Sequence, residues 1–94
     1  MHDEDLNICE QKKVILFQVI GKVVLRNRKI LKKGINKFSF EYDIGKGLLS
    51  RLENGKSDTK ISTLWKLSNA FSISFTEFAK QIEDELPKDF CFYD

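Results

Sequence analysis

The sequence has little of the turn chemistry on which sheet proteins depend. It contains one proline and five glycines among 94 residues. A sandwich or barrel needs a turn signal about every ten residues, so we do not expect an all-β fold. The apolar fraction of 41% and the charged fraction of 32% instead indicate a compact domain. A chain of this length has no room for a second core.

Side chains for metal and acid–base chemistry are equally scarce. The one histidine is His2, and the two cysteines, Cys9 and Cys91, lie near opposite ends of the chain without a CxxC pair. This pattern excludes a zinc finger and most metal sites. Since there is no histidine to activate a thiol and no glycine-rich phosphate loop, we expect no catalytic residue, no cofactor and no enzymatic activity. The length also leaves no room for a domain that binds a small-molecule ligand.

No segment has the pattern of a secretory signal or a membrane span. Acids occupy positions 3 to 5, where a signal peptide needs positive charge, and Gln18 and Lys22 interrupt the apolar run over residues 14–25. We therefore expect no membrane contact and a cytoplasmic protein with reduced thiols.

The net charge of +2 hides a strong segregation of charge along the chain. Residues 1–10 contain four acids and no base, and residues 77–94 contain six acids and two bases. Residues 19–60 contain eleven bases and four acids. A localised basic region is typical of a polyanion binder, although a solvated basic face without a partner would have the same charge.

Helical spacing of apolar residues predicts five helices and no strands. The first covers about residues 5–31, continuous or broken before Gln11, and Gly34 stops it through a left-handed cap. Its apolar residues occupy more than one face, which favours packing against a second chain. The remaining helices are predicted over about residues 35–42, 45–53, 61–71 and 75–86.

Local signals explain where the later helices begin and end. Asp43 tolerates positive φ and forms the turn between the second and third helices. Ile61 begins the core stripe of the fourth helix. Ser74 and Glu77 form a capping box at the start of the fifth, and Pro87 ends it.

The second and third helices and the tight turn between them define a helix-turn-helix. Together with Ile20-Gly21, Phe38-Ser39 and the run Ser50-Arg51-Leu52-Glu53-Asn54-Gly55-Lys56, they make the chain resemble the Cro and phage-repressor type of DNA-binding domain, the Xre-like family. The resemblance extends without gaps over about residues 20–75. It implies an all-α, five-helix, lambda-repressor-like domain with a long first helix and a short aromatic C-terminal tail.

The sequence departs from the family pattern at three places. Asp43 occupies the turn position that is most often glycine. Ile35 occupies the position that often holds a phosphate-contacting glutamine, so Asn36 or Lys37 would have to replace that contact. Glycines at positions 45 and 47 remove two side chains from the exposed face of the third helix.

The resemblance also implies the site residues. Arg28 and Glu53 are expected to form a partly buried ion pair, the alternative being two independent surface charges. The positions implied for reading bases are Lys46, Gly47, Leu48, Ser50 and Arg51. The positions implied for contacting phosphates are Asn36, Lys37, Asn54, Lys56 and Lys60.

The chain thus divides into an acidic N-terminal segment over 1–13 that can extend the first helix, a helix-turn-helix domain over 14–86 and a tail over 87–94. Phe90, Phe92 and Tyr93 in the tail are candidate dimer contacts, the alternative being that the tail folds back over its own domain. The implied function is a sequence-specific double-stranded DNA-binding transcriptional regulator, a homodimer on a palindromic operator. The alternative is a protein-interaction module, such as an antitoxin or anti-regulator, with weak or no DNA readout.

Overall fold

A computed structural model describes the backbone of residues 3–93 and the side chains of residues 7–93. The described residues form five helices and no strand, which confirms the predicted all-α class. The helices are α1 (Asp3–Ile30), α2 (Ile35–Tyr42), α3 (Lys46–Glu53), α4 (Ile61–Ala70) and α5 (Phe75–Glu85). The helix α1 is continuous through position 11, and the outermost residues of the predicted acidic segment and tail, 1, 2 and 94, lie outside the described part.

A single core holds the helices together, and every helix contributes to it. Phe38 of α2 is fully buried and packs against the ring of Phe71, with 5.6 Å between the two centroids. Phe78 of α5 meets Phe71 edge-on from the other side at 6.1 Å. The aliphatic residues that complete the core are Val23, Val24, Ile44, Leu49, Leu52 and Leu67.

One predicted core residue is wrong. Ile61 is 63% exposed, whereas Leu67 is fully buried. Ile61 is the first residue of α4, directly after the N-cap residue Lys60, and this end of the helix extends beyond the core. The apolar stripe of α4 therefore begins one turn later, at the half-buried Leu64.

The turn between α2 and α3 has the predicted conformation. Asp43 is left-handed, with φ 51° and ψ 50°, and its N–H donates to the carbonyl of Ser39. The predicted left-handed cap at Gly34 is wrong. Gly34 is extended, with φ −70°, and acts as the N-cap of α2, while the left-handed residue is Lys32 at φ 57°. Because α1 ends at Ile30, the chain reverses before it reaches the glycine.

Substitutions at Asp43 and Gly34 are expected to change the stability of the protein differently. Asp43→Gly should stabilise the protein by up to about 1 kcal/mol, because glycine adopts positive φ without steric cost. Gly34→Ala should instead destabilise the protein slightly, by less than about 1 kcal/mol, because alanine is a poorer N-cap residue than glycine even though its Cβ would meet nothing within 4 Å. Urea unfolding of the two variants measures both effects, and a destabilised Asp43→Gly would show that the carboxylate supports the turn.

The close approach of α1 to the end of α3 positions the third helix. A Cβ added to Gly21 would lie 2.8 Å from the carbonyl oxygen of Glu53 and closer still to that of Leu52. Gly55, at φ +70°, lies against Gln18 in the same way, with an added Cβ 2.9 Å from its Cγ. Only glycine allows the backbones to approach this closely, so Gly21 and Gly55 hold the C-terminal end of α3 against α1.

The helix α5 packs on another side of α1 through polar side chains. The Nδ2 of the buried Asn27 donates to the carbonyl of Val23 at 2.9 Å and to Oε1 of Gln81 at 2.8 Å. Near the end of α5, Glu85 forms ion pairs with Lys22 and Arg26. At its start, the hydroxyl of Ser74 accepts from the backbone N–H of Glu77 at 3.0 Å, which is one half of the predicted capping box.

Candidate nucleic-acid interface

The outer side of α3 carries the residues predicted to read bases. Lys46, Gly47 and Arg51 are exposed, and Leu48 and Ser50 are half-buried beside them. On the inner side of the same helix, Leu49 and Leu52 are buried in the core. The helical period therefore gathers all five predicted readout positions along the exposed side and its edges.

Gly47 lies beside the side chain of Arg51. A Cβ on this residue would lie 3.4 Å from Nη1 of Arg51, so the guanidinium rests close to the glycine backbone. The spacing of four residues places the two positions on one face of the helix. The two residues are thus neighbours on the exposed face, as their spacing alone indicates, and a methyl group at position 47 would touch Arg51 without a clash.

The loop after α3 presents two further cations. Lys56 and Lys60 are exposed. Asn54 is exposed too, but its Nδ2 donates to the carbonyl of Ser50 at 2.8 Å and so caps the end of α3. The structure thus gives Asn54 a local structural role in addition to its predicted position beside the phosphates.

The start of α2 lies open at the position where the family has its glutamine. Ile35 is half-buried and packs against the core, whereas Asn36 and Lys37 are exposed. The first turn of α2 contains no acidic residue, so its positive dipole end and Lys37 have the same sign. Lys37 Nζ lies 3.9 Å from Glu41 in a loose surface pair.

The ion pair between Arg28 and Glu53 ties the ends of α1 and α3 together. Nε and Nη2 of Arg28 donate to the two carboxylate oxygens at 2.7 and 2.8 Å. The side chains are 12% and 7% exposed. The hydrogen bond to Glu53 raises the pKa of Arg28 above its ordinary value, in spite of burial. Nη1 also donates to the carbonyl of Lys33 at 2.9 Å, so this guanidinium organises the turn that follows α1 as well.

Two lysines make contacts that no sequence pattern predicts. Lys33 pairs with Glu41, donates to the hydroxyl of Tyr42 at 3.1 Å and lies 4.9 Å from the centre of its ring. The hydrogen bond between Lys33 and Glu41 raises the pKa of the lysine and lowers that of the carboxylate. Lys66 donates to the carbonyl of Asp43 at 2.8 Å and caps the turn.

The aromatic tail is only partly covered. Phe90 and Phe92 are half-buried and pack edge to face, with their centroids 5.7 Å apart, while Tyr93 is 86% exposed. Cys91 is a free, exposed thiol. The rings of Phe90 and Phe92 thus cover part of each other's apolar surface, and Tyr93 remains exposed.

The described residues do not cluster in the way that a metal site requires. They contain no group of three or more histidine, cysteine, aspartate or glutamate side chains that could hold a metal ion. None of the helices in the described part of the chain is long and apolar enough to cross a membrane.

The five-helix order, the tight turn at Asp43 and the exposed α3 define a helix-turn-helix protein. The family model HTH_3, described as helix-turn-helix, matches residues 25–78, more than half of the chain. The chain belongs to this family.

A solved structure has a similar fold. The chain resembles an HTH_3 family transcriptional regulator from Vibrio cholerae, with a TM-score of 0.67 and 24% sequence identity. The similarity covers 83% of this chain and 47% of the other, so the chain spans about half of that regulator's length. No protein with curated annotation matches the sequence.

Proposed function

We propose that the protein is a sequence-specific double-stranded DNA-binding transcriptional regulator that acts as a homodimer on a palindromic operator. Membership of the helix-turn-helix family supports this proposal, as does the name of the Vibrio cholerae regulator. The proposal involves no catalytic residue, and it places the protein in the cytoplasm, where its DNA would be.

The distribution of ion pairs is the observation that carries the proposal. Carboxylates engage Arg28, Lys33, Lys22 and Arg26 away from the outer side of α3. Among the described residues, no ion pair includes Lys46, Arg51, Lys56 or Lys60. The cations left without an acidic partner thus include those of α3 and the loop after it, where a polyanion would supply the missing charge.

Base readout would rest on few side chains. Arg51 can donate two hydrogen bonds to the O6 and N7 acceptors of a guanine in the major groove, and Lys46 can donate to the same acceptors. Leu48 can contact a thymine methyl group, and Ser50 can bond a base edge or a phosphate. Gly47 contributes no side chain of its own, and the guanidinium of Arg51 lies beside it.

Phosphate contacts would flank the recognition helix on both sides. Lys56 and Lys60 follow it, and Asn36 and Lys37 lie at the open start of α2. Such contacts fix the position of the helix without carrying sequence information. In a homodimer, two copies of α3 would enter successive major grooves about 34 to 36 Å apart.

Selection from a randomised double-stranded DNA pool tests the proposal directly. We expect an enriched palindrome, with log affinity falling against log salt at a slope of about −6 or steeper. Retention without an enriched sequence would contradict specific readout.

The double variant Lys46→Glu/Arg51→Glu is then expected to bind the enriched site at least about a hundredfold more weakly, because two attractive charges become repulsive. Lys80→Glu/Lys88→Glu changes the net charge equally on α5 and the tail, and should retain most of the affinity. Electrophoretic mobility shifts measure both, and thermal melts check that each variant folds. Equal affinity of the two variants would count against α3 as the reading helix.

A protein-interaction module is the second candidate, and two observations favour it. Gly45, the N-cap of α3, and Gly47, in its first turn, carry no side chain that could read a base, and Phe40 of α2 is 89% exposed. A folded protein that enriches no DNA sequence, and whose partner binding survives charge reversal at Lys46 and Arg51, would identify this second function.

A further inference from the structure

The outer side of α4 and the start of α5 together form an exposed apolar surface. Ile61 and Trp65 lie one turn apart on α4 and are 63% and 53% exposed. The half-buried Phe75, the first residue of α5, stacks on Trp65, with the ring centroids 4.7 Å apart and the planes 8° from parallel. These three residues make up the α4–α5 patch. The stack fixes the position of the indole and leaves about half of Trp65 open to another molecule.

The segment that carries the patch has few charges. Residues 61–76 contain one charged residue, Lys66, where the chain-wide charged fraction of 32% would give about five. The ammonium group of Lys66 donates to the carbonyl of Asp43 and is therefore engaged by the turn before α3. The exposed polar residues of this segment are uncharged and include Ser62, Asn69 and Thr76. An aromatic surface with few charges has the composition of the buried centre of a protein interface.

The patch begins where the candidate phosphate contacts end. Lys60 is the N-cap residue of α4, and Ile61 follows it directly. The loop over residues 54–60 joins α3 to α4, and a segment of this length spans at most about 25 Å even when it is fully extended. The patch therefore lies within one short loop of the helix that carries the candidate base contacts.

We propose that two copies of the protein pair across a two-fold axis through the α4–α5 patch, with Ile61 and Trp65 of each copy packed against the patch of the other. This inference rests on the homodimer of the proposed function and specifies its interface.

The lack of charge favours a second copy as the occupant of the patch. In a two-fold contact the same surface of both copies is apposed, so a surface of one charge sign would bring like charges together. The exposed carboxylates of Glu83 and Asp84 on α5 would meet in this unfavourable way. The three side chains of the patch carry no charge and can pack against their own copy without repulsion. Lys60, at the edge of the patch, is charged, and a bound DNA phosphate would offset that charge.

The spacing of two recognition helices on DNA agrees with an interface at this place. Copies of α3 that enter successive major grooves about 34 to 36 Å apart each lie about 17 to 18 Å from the two-fold axis. An axis through the α4–α5 patch meets this requirement, because the loop over residues 54–60 limits the separation between the end of α3 and the start of α4 to about 25 Å. Pairing through the patch thus keeps both copies of α3 near the axis of a palindromic site.

A charge placed in the patch of the full chain tests the interface without DNA. Ile61→Glu is the test variant, because Ile61 is exposed in the single chain and an acidic residue suits the first turn of a helix. It should weaken dimerisation by at least about a hundredfold, since each copy then buries a carboxylate in an apolar contact. Ile30→Glu is the matched control, because Ile30 is 69% exposed at the end of α1. It should dimerise like the parent protein, and thermal melts check that both variants fold.

The emission of Trp65 gives a second measurement at the interface itself. Trp65 is the one tryptophan of the chain, so its fluorescence reports the patch without a label. Diluting the parent protein should shift the emission to longer wavelength over the same concentrations at which sedimentation equilibrium shows the dimer dissociating. Ile61→Glu should have the longer-wavelength emission at all of these concentrations.

The possible results separate the interface from the proposed function. An Ile61→Glu dimer as stable as that of the parent, an equal loss in Ile30→Glu, or Trp65 emission that does not change on dissociation would overturn the α4–α5 interface. A homodimer through another surface, such as the aromatic tail, would then remain. A parent protein that stays monomeric with and without operator DNA would overturn the homodimer as well. Absence of an enriched DNA sequence, together with a dimer that Ile61→Glu dissociates, would contradict only the proposed DNA binding and would support the interface.

Discussion

Replacing Glu53 by alanine is expected to lower the free energy of unfolding by about 3 to 5 kcal/mol, because it strands the guanidinium of Arg28 without its partner. That guanidinium is only 12% exposed and donates two hydrogen bonds to the carboxylate. Water cannot fully replace the lost partner, so the cost includes desolvation as well as the pair itself. Thermal melting should show a drop of at least about 10 °C in Tm.

Two comparisons separate this pair from ordinary surface charges. Glu83→Ala removes an exposed carboxylate from α5 and should change the free energy of unfolding by less than about 0.5 kcal/mol. The double variant Arg28→Met/Glu53→Leu should be less destabilised than Glu53→Ala, since no buried charge remains unpaired. A Tm within a degree or two of the parent for Glu53→Ala would show that the pair contributes little.

The predictable part of the fold came from residues whose local chemistry leaves few choices. Asp43, Ser74 and Pro87 define helix ends through their own backbone or side chain, and the structure has the corresponding ends within a residue or two. Gly34 is the exception. The left-handed residue is Lys32. Arg28, which is held by Glu53 of α3, donates to the carbonyl of Lys33, so the turn after α1 depends on a contact with a distant helix.

The features of the candidate site also separate into those that local sequence predicts and those that depend on long-range contacts. Helical periodicity and the family resemblance were enough to gather Lys46, Gly47 and Arg51 on one face, because position on a helix follows from residue number. The contact between Lys66 and Asp43 joins residues 23 positions apart and has no local signal. The division of the cations between those with a carboxylate and those without depends on contacts of this long-range kind, which the sequence could not supply.

The opposite effects of two glycine substitutions test how α3 is held. Gly21→Val is expected to destabilise the protein by at least about 3 kcal/mol. The valine side chain would clash with the backbone carbonyl oxygens of Leu52 and Glu53 and force α1 away from α3. Gly47→Ala should instead stabilise the free protein by up to about 1 kcal/mol, since it removes a helix-interior glycine and its Cβ meets only the flexible end of Arg51.

Urea unfolding gives the stabilities, and titration of the selected operator at a temperature where both variants are folded gives the affinities. Gly47→Ala should bind operator DNA with about the affinity of the parent, because its methyl group would lie at an ordinary van der Waals distance from the guanidinium of Arg51 and leave it in place. Gly21→Val should bind more weakly, since the end of α3 that carries Arg51 would shift relative to the phosphate-contacting loop. If Gly21→Val were as stable as the parent, α1 and α3 would have to be further apart than the glycine implies. A loss of operator affinity in Gly47→Ala would show that Arg51 needs the open space at position 47 to read DNA.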